Sequence, residues 1–194
     1  MDKAEIIRFF DAAAAQWDAD MIRNDEIIAT ILDNAGVSEG KTVLDVACGT
    51  GVLIPDYLSR KVDSVLGVDI SAEMVKIARE KHQQKNVQFL CADIEAVDLR
   101  QQFDCIVVYN AFPHFPDPQN LIHTLASMLK PGGILTVAHG MSRAAIDRHH
   151  SGPASKISMG LMNEKELSKL FESELAVTTV ISNDTMYQVA GQRI

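Results

Sequence analysis

Three aspartates, each closing a strand-like run, are the residues of this chain best placed to do chemistry together. The run Thr42-Val43-Leu44-Asp45-Val46-Ala47-Cys48-Gly49-Thr50-Gly51 passes from apolar and β-branched residues through an acid into small residues and two glycines. A buried parallel strand has this pattern when it ends in a tight turn whose backbone approaches a small charged ligand. Asp45 can reach a cationic amino group there, directly or through water. Asp69 ends the next run, Ser64 to Ile70, and lies 18 residues beyond Gly51. A carboxylate at that place can accept hydrogen bonds from both hydroxyls of a ribose. Asp93 follows the run Val87 to Ala92 and, with Ile94, can meet the amino group and flat face of adenine. The plainer reading is that each acid only caps the helix or turn behind it. One such acid says little; three facing one crevice point to a nucleoside.

The turn also excludes two common phosphate sites. A dinucleotide fingerprint needs a third glycine three residues after the second, and position 54 is Ile54. No Gly-Lys-Ser/Thr triplet follows, so a P-loop is absent. The fourth run ends in Tyr109-Asn110-Ala111-Phe112-Pro113-His114-Phe115, which supplies an amide, a phenol and an imidazole. His114, His139, His149 and His150 all fall near the expected carboxyl end of the sheet and are candidate bases. For His114 the alternative is a loop histidine bonded to the backbone. His149 and His150, near Asp147, do not predict a metal site, because adjacent residues on a helix point about 100° apart. No metal is expected.

The elements that must position these residues alternate. Asp2 with Glu5 reads as a helix start, and Ile6, Phe9, Phe10, Ala13 and Trp17 then share one helical face. A second amphipathic stretch, Ile27 to Ala35, stops at Gly36. Ser71 is suited to cap a helix with Met74, Ile77 and Ala78 inward, and basic residues crowd its far end, where the helix dipole favours them. Phe103 to Tyr109 is a fourth strand. Asp117-Pro118 begins a helix with Leu121, Ile122, Leu125 and Met128 inward, and Lys130-Pro131-Gly132-Gly133 ends it. Ile134 to His139 is a fifth strand. After a glycine- and serine-bearing segment, 140–162, a helix spans Asn163 to Phe171. Val177 to Ile181 and Tyr187 to Arg193 then form an antiparallel hairpin across Asn183-Asp184. The alternation predicts an α/β fold: a Rossmann-like, doubly wound, seven-stranded sheet, mostly parallel with the last strand antiparallel, plus an N-terminal helical lid. The whole chain, 1–194, is expected to be one domain, with the lid over 1–36, a ligand-binding core over 40–139 and an acceptor-side loop with closing hairpin over 140–194.

Composition bounds the function classes. The chain has 194 residues, 47% of them hydrophobic and 23% charged, which is near the globular average. No apolar run approaches the roughly 18 residues of a membrane span, and charges among the first residues argue against a secretory signal. Three cysteines do not suggest a disulfide framework, so a reducing cytoplasm is expected; Cys91 and Cys105 fall inside strand patterns and read as packing. A net charge of −8 makes nucleic acid an unfavourable partner. Oligomeric state is not legible.

Leu44-Asp45-Val46-Ala47-Cys48-Gly49-Thr50-Gly51, Gly67-Val68-Asp69-Ile70-Ser71, Cys91-Ala92-Asp93-Ile94 and Leu129-Lys130-Pro131-Gly132-Gly133 together resemble the ordered motifs of class I S-adenosylmethionine-dependent methyltransferases. The likeness is greatest to the group that includes ubiquinone and menaquinone C-methyltransferases. It covers residues 40–139, and Phe9-Phe10-Asp11 through Trp17-Asp18 resembles that group's lid. The resemblance implies S-adenosylmethionine as cofactor and a small methyl acceptor. It implies that Asp45, Ala47, Cys48, Gly49 and Gly51 hold the methionine part. Asp69 with Ile70 and Met74 would hold the ribose side, Asp93 with Ile94 the adenine, and Asn110 the ligand's ammonium group. Ala47 stands where many relatives have glycine. By the same resemblance Tyr109 and His114 border the reacting groups and Phe10 and Trp17 the acceptor, while His139, His149 and His150 are placed on the acceptor side by their position near the carboxyl end of the sheet. No insertion is large enough for a docking domain, which favours a small acceptor. A nicotinamide-dependent dehydrogenase and a non-catalytic S-adenosylmethionine-binding module are the rivals.

Overall fold

The computed structural model describes residues 2–149 and 157–194. Seven strands form one sheet: β1 (Thr42–Val46), β2 (Ser64–Asp69), β3 (Val87–Cys91), β4 (Phe103–Tyr109), β5 (Leu129–His139), β6 (Ala176–Ser182) and β7 (Tyr187–Gln192). Their spatial order is β3-β2-β1-β4-β5-β7-β6. The first five run parallel, and β7 is inserted antiparallel to both β5 and β6. The order therefore reverses at β1, whose Asp45 lies opposite Gly67 of β2 and Val107 of β4. Such a switch point opens a crevice at the carboxyl ends of the strands.

Side chains alternate across the pleat, so the apolar runs feed two cores. Leu44, Val46, Ile106 and Val108 pack on one face with Leu121, Leu125 and Phe171. Val43, Val65, Cys105 and Val107 pack on the other with Ile28, Leu32 and Tyr57. Each fully buried aliphatic side chain is worth about 1.5–3 kcal/mol against exposure. Burial on both faces explains why β1 and β4 show no polar alternation.

The helices begin where the caps are. Asp2 caps α1 (Lys3–Ala13), Asn24 caps α3 (Asp25–Asn34), and Ser71 caps α5 (Ala72–Lys81). Asp117 caps α6 (Pro118–Ser127), with Pro118 at its first position, and Asn163 caps α8 (Glu164–Glu172). Between them lie α2 (Trp17–Asp20), α4 (Ile54–Ser59) and α7 (Arg143–His149).

Two expectations change. The N-terminal stripe is not one helix: α1 ends at Ala13, a 3-10 turn covers Ala14–Gln16, and α2 restarts at Trp17. Only Ile6 and Ala14 of this region are buried. The second change concerns Lys130-Pro131-Gly132-Gly133, which does not end α6 but forms an irregularity inside β5. Leu129 already pairs with Phe103, and the regular ladder resumes at Cys105 with Ile134. Lys130 Nζ is held 2.8 Å from Asp104 Oδ2, and a Cβ on Gly133 would lie 3.0 Å from three main-chain carbonyl oxygens. At the hairpin, Asn183 Oδ1 accepts from the amides of Thr185 and Met186, each at 2.9 Å. Among the described residues no helix is long and apolar enough to cross a membrane.

Candidate active site

The crevice at the switch point is a cleft with a polar half and an aromatic half. The polar half begins at the turn after β1. Ala47, Gly49 and Gly51 have φ of 54°, 54° and 81°, a region that costs a residue with a Cβ about 1–2 kcal/mol. Ala47 accepts that strain. The turn is tied to the next strand by Cys48 N donating to Val68 O at 3.2 Å. Gly49 N donates to Asp69 Oδ2 at 2.8 Å, and Ser71 N to Asp69 Oδ1 at 2.9 Å. Asp69 thus organises the glycine turn and the start of α5 at once. An ionised carboxylate offers about four acceptor sites, so it can still receive the hydroxyls of a ribose.

Two acids here are buried together. Burial pushes the Asp45 carboxyl up to about 8, and the nearby charge of Asp69 pushes the same way. The Tyr57 hydroxyl favours the carboxylate, although it makes no hydrogen bond of ordinary geometry. Asp69 is also raised by burial, with the amides of Ser71, Gly49 and Ile70 opposing. A cation arriving beside this pair would relieve a real electrostatic cost.

Asp93 sits past the end of β3. Its Oδ2 is 2.5 Å from Lys3 Nζ, and its Oδ1 accepts from Glu95 N at 3.1 Å. Lys3 also reaches Glu95 Oε2 at 2.9 Å. Ile94 and Met74 are buried beside it, and Ile70 completes this wall.

The aromatic half is built from β4's end and the N-terminal segment. Asn110, at φ 55°, donates its amide to Ala138 O at 2.9 Å and accepts Gly140 N on Oδ1 at 3.0 Å. That leaves its main-chain carbonyl as the group available to an ammonium. Tyr109's hydroxyl lies against Gly140, where an added Cβ would come within 2.4 Å; burial raises its pKa. His114 stacks edge-on to Phe10 at 5.1 Å, and Phe10 to Trp17 at 5.6 Å. His114 Nδ1 is 2.7 Å from Ile157 O. A carbonyl can only accept, so the neutral ring carries its proton on Nδ1 and its lone pair on Nε2.

Of the residues picked from sequence, Phe10, Trp17, Asp45, Ala47, Cys48, Gly49, Asp69, Ile70, Met74, Asp93, Ile94, Tyr109, Asn110 and His114 all line this cleft. Gly51 does not. Its missing Cβ makes room behind the turn for His82, whose Cδ2 would otherwise lie 2.6 Å away. His139 is likewise displaced from the acceptor wall. It is 2% exposed and packs on Tyr187 at 6.1 Å, because β7 covers that end of β5. The His149 side chain and His150 lie outside the described residues. Sequence reasoning missed Lys3, Met21, Leu53 and Glu95, which also line the cleft. None carries a local spacing signal; Lys3 and Asp93 are 90 residues apart.

Residues 43–133 match a family model described as a methyltransferase domain. A ubiquinone biosynthesis O-methyltransferase of Coxiella burnetii (strain Dugway 5J108-111) is 34% identical over 143 residues, covering 70% of this chain and 61% of that protein. The chain belongs to the class I S-adenosylmethionine-dependent methyltransferases. A malonyl-[acyl-carrier protein] O-methyltransferase of Acetivibrio thermocellus is 31% identical over 138 residues, covering 70% of this chain and 49% of that protein. The chain thus spans about half to three-fifths of the length of these curated relatives. The fold is shared with magnesium protoporphyrin IX methyltransferase from Synechocystis PCC 6803, solved with bound SAH (S-adenosylhomocysteine). That match has a TM-score of 0.74 at 17% identity and covers 100% of both chains. The seven-stranded sheet with its antiparallel β7 matches the Rossmann-like fold of its methyltransferase neighbours.

Proposed function

We propose that this methyltransferase uses S-adenosylmethionine to methylate a hydroxyl group on a small, largely apolar acceptor. The observation that supports it is a single cleft with buried acids along one half and an uncharged aromatic wall containing His114 along the other. The polar half fits the cofactor by the chemistry of its donors and acceptors. Asp69 retains acceptor sites for the ribose, the buried Asp45 carboxyl can ionise beside an arriving ammonium, and Asn110 keeps its main-chain carbonyl. Ile94 and Met74 provide an apolar wall for adenine. When bound, the cofactor supplies an electrophilic sulfonium methyl group.

What remains for the protein is alignment, exclusion of water and removal of one proton. Phe10 and Trp17 cover the aromatic half and keep water from it. His114 Nε2, carrying the lone pair, takes the acceptor's hydroxyl proton. The named relatives are O-methyltransferases, which supports oxygen as the methylated atom, and the lining by Phe10, Trp17, Tyr109 and Phe115 supports a largely apolar acceptor.

Labelled-methyl transfer to a panel of small hydroxylated arenes tests this. Turnover is expected on at least one member, and His114→Ala should lower kcat by about 100-fold, the usual scale of general base catalysis, with SAH affinity unchanged. Equal kcat in the variant would remove His114 as the base. Turnover confined to carboxylate or amine acceptors would overturn the hydroxyl reading.

A further inference from the structure

The N-terminal segment that carries Phe10 and Trp17 is held down by a few fully buried apolar side chains, by half-buried aromatics and by three sets of polar contacts. Its buried apolar anchors are Ile6 and Ala14 alone. Against that, Lys3 bridges Asp93 at 2.5 Å and Glu95 at 2.9 Å. Asp11 Oδ1 accepts from Ser71 Oγ at 2.5 Å and from Glu73 N at 3.2 Å. Asp18 accepts from Thr50 Oγ1 at 2.5 Å and pairs with Lys81 Nζ at 2.5 Å.

The core-side partners are not scattered. Thr50 belongs to the glycine turn, Ser71 caps α5 two residues after Asp69, and Asp93 lies at the end of β3. Each latch thus fastens a different strand-end loop of the polar half. Trp17 connects the two halves directly: a Cβ on Gly49 would lie 3.8 Å from its Nε1. A terminal segment with only two fully buried side chains among its described residues and partly exposed polar contacts can open locally while the sheet stays folded.

We propose that Lys3, Asp11 and Asp18 are positioning residues for the cofactor, latching the acceptor-side aromatic wall onto the Asp93, Ser71 and Thr50 loops so that cofactor release requires the segment to open. This rests on the cofactor reading above. One consequence separates latches from ordinary surface pairs. Cofactor dissociation becomes salt-dependent, because the contacts are partly exposed: the Lys3 and Asp18 side chains are 39% and 41% accessible.

Trp17, the single tryptophan of the chain, is the built-in probe. Stopped-flow fluorescence on mixing with SAH gives association and dissociation rates. A Lys3→Met/Asp18→Ala double variant should release SAH about tenfold faster, each partly exposed contact being worth a few-fold, while Lys3→Arg stays close to wild type. Raising salt should speed release from wild type and change the double variant much less. Steady-state KM for the cofactor should rise. Equal dissociation rates and equal salt slopes in wild type and double variant would overturn the latch. Failure of wild type to bind SAH by calorimetry would instead overturn the cofactor reading.

Discussion

At the scale of single residues, the polar half of the cleft is organised around buried acids that serve two purposes. Asp69 bonds two backbone amides, from Gly49 and Ser71, and so shapes the turn that must come close to a ligand. Asp45 sits under that turn with its carboxyl raised from 3.8 to about 8, chiefly by burial. The consequence for stability has a definite sign. Below pH 3.8 the group is neutral folded or unfolded, and its contribution is fully present. Between 3.8 and 8 the folded protein holds a proton that the unfolded chain has lost, so stability falls as pH rises, and the contribution is gone above 8. Urea midpoints at pH 5 and pH 8 for wild type and Asp45→Asn check this. The variant should gain on wild type as pH rises; parallel profiles would contradict it. His114 illustrates a different use of environment, in which one carbonyl, from Ile157, fixes the tautomer.

Elements determine which residues can meet. The strands were legible because β1, β2 and β4 are short apolar runs with an acid or a polar residue at or beside their ends, and Ser71 and Asp117 announced their helices through their caps. The interruption at Ala14–Gln16 was not legible, because a helical stripe continues through it in sequence. His139 satisfied the rule for a residue at a strand's carboxyl end, yet β7 returns beside β5 and buries it, a long-range pairing that no local pattern encodes. The same holds for Lys3, whose partners are fixed only once β3 is in place. Lys130-Pro131-Gly132-Gly133 has the residue types of a helix stop, and only the β4 pairing shows it to be a kink within β5. That kink yields a prediction. The Gly133 site is crowded by the carbonyls of Asp104, Lys130 and Phe103, so Gly133→Ala should cost about 1–3 kcal/mol by overpacking, measured by chemical denaturation. A loss below 0.5 kcal/mol would mean that the kink yields easily.

For the molecule as a whole, the reversal of strand order at β1 explains why the site is where it is. Only there do the ends of β1, β2 and β4 open onto one crevice, and only there can an N-terminal segment lie across both halves. The order of the motifs along the chain carried this much, since the resemblance that revealed the family is a resemblance of those strand ends. The acceptor half was harder to read because its wall is assembled from α1, α2, the end of β4 and the segment around Ile157, which come together only in the folded protein. The central claim is that the cleft holds an adenosyl cofactor through Asp69, and calorimetric titration tests it most directly. Wild type titrated with SAH, S-adenosylmethionine and NAD in parallel should bind the two adenosyl ligands with one site each and leave NAD unbound, and Asp69→Ala should bind both more weakly by at least tenfold, a loss of about 1.4 kcal/mol. Binding of NAD alone, or undiminished binding by the variant, would contradict the account.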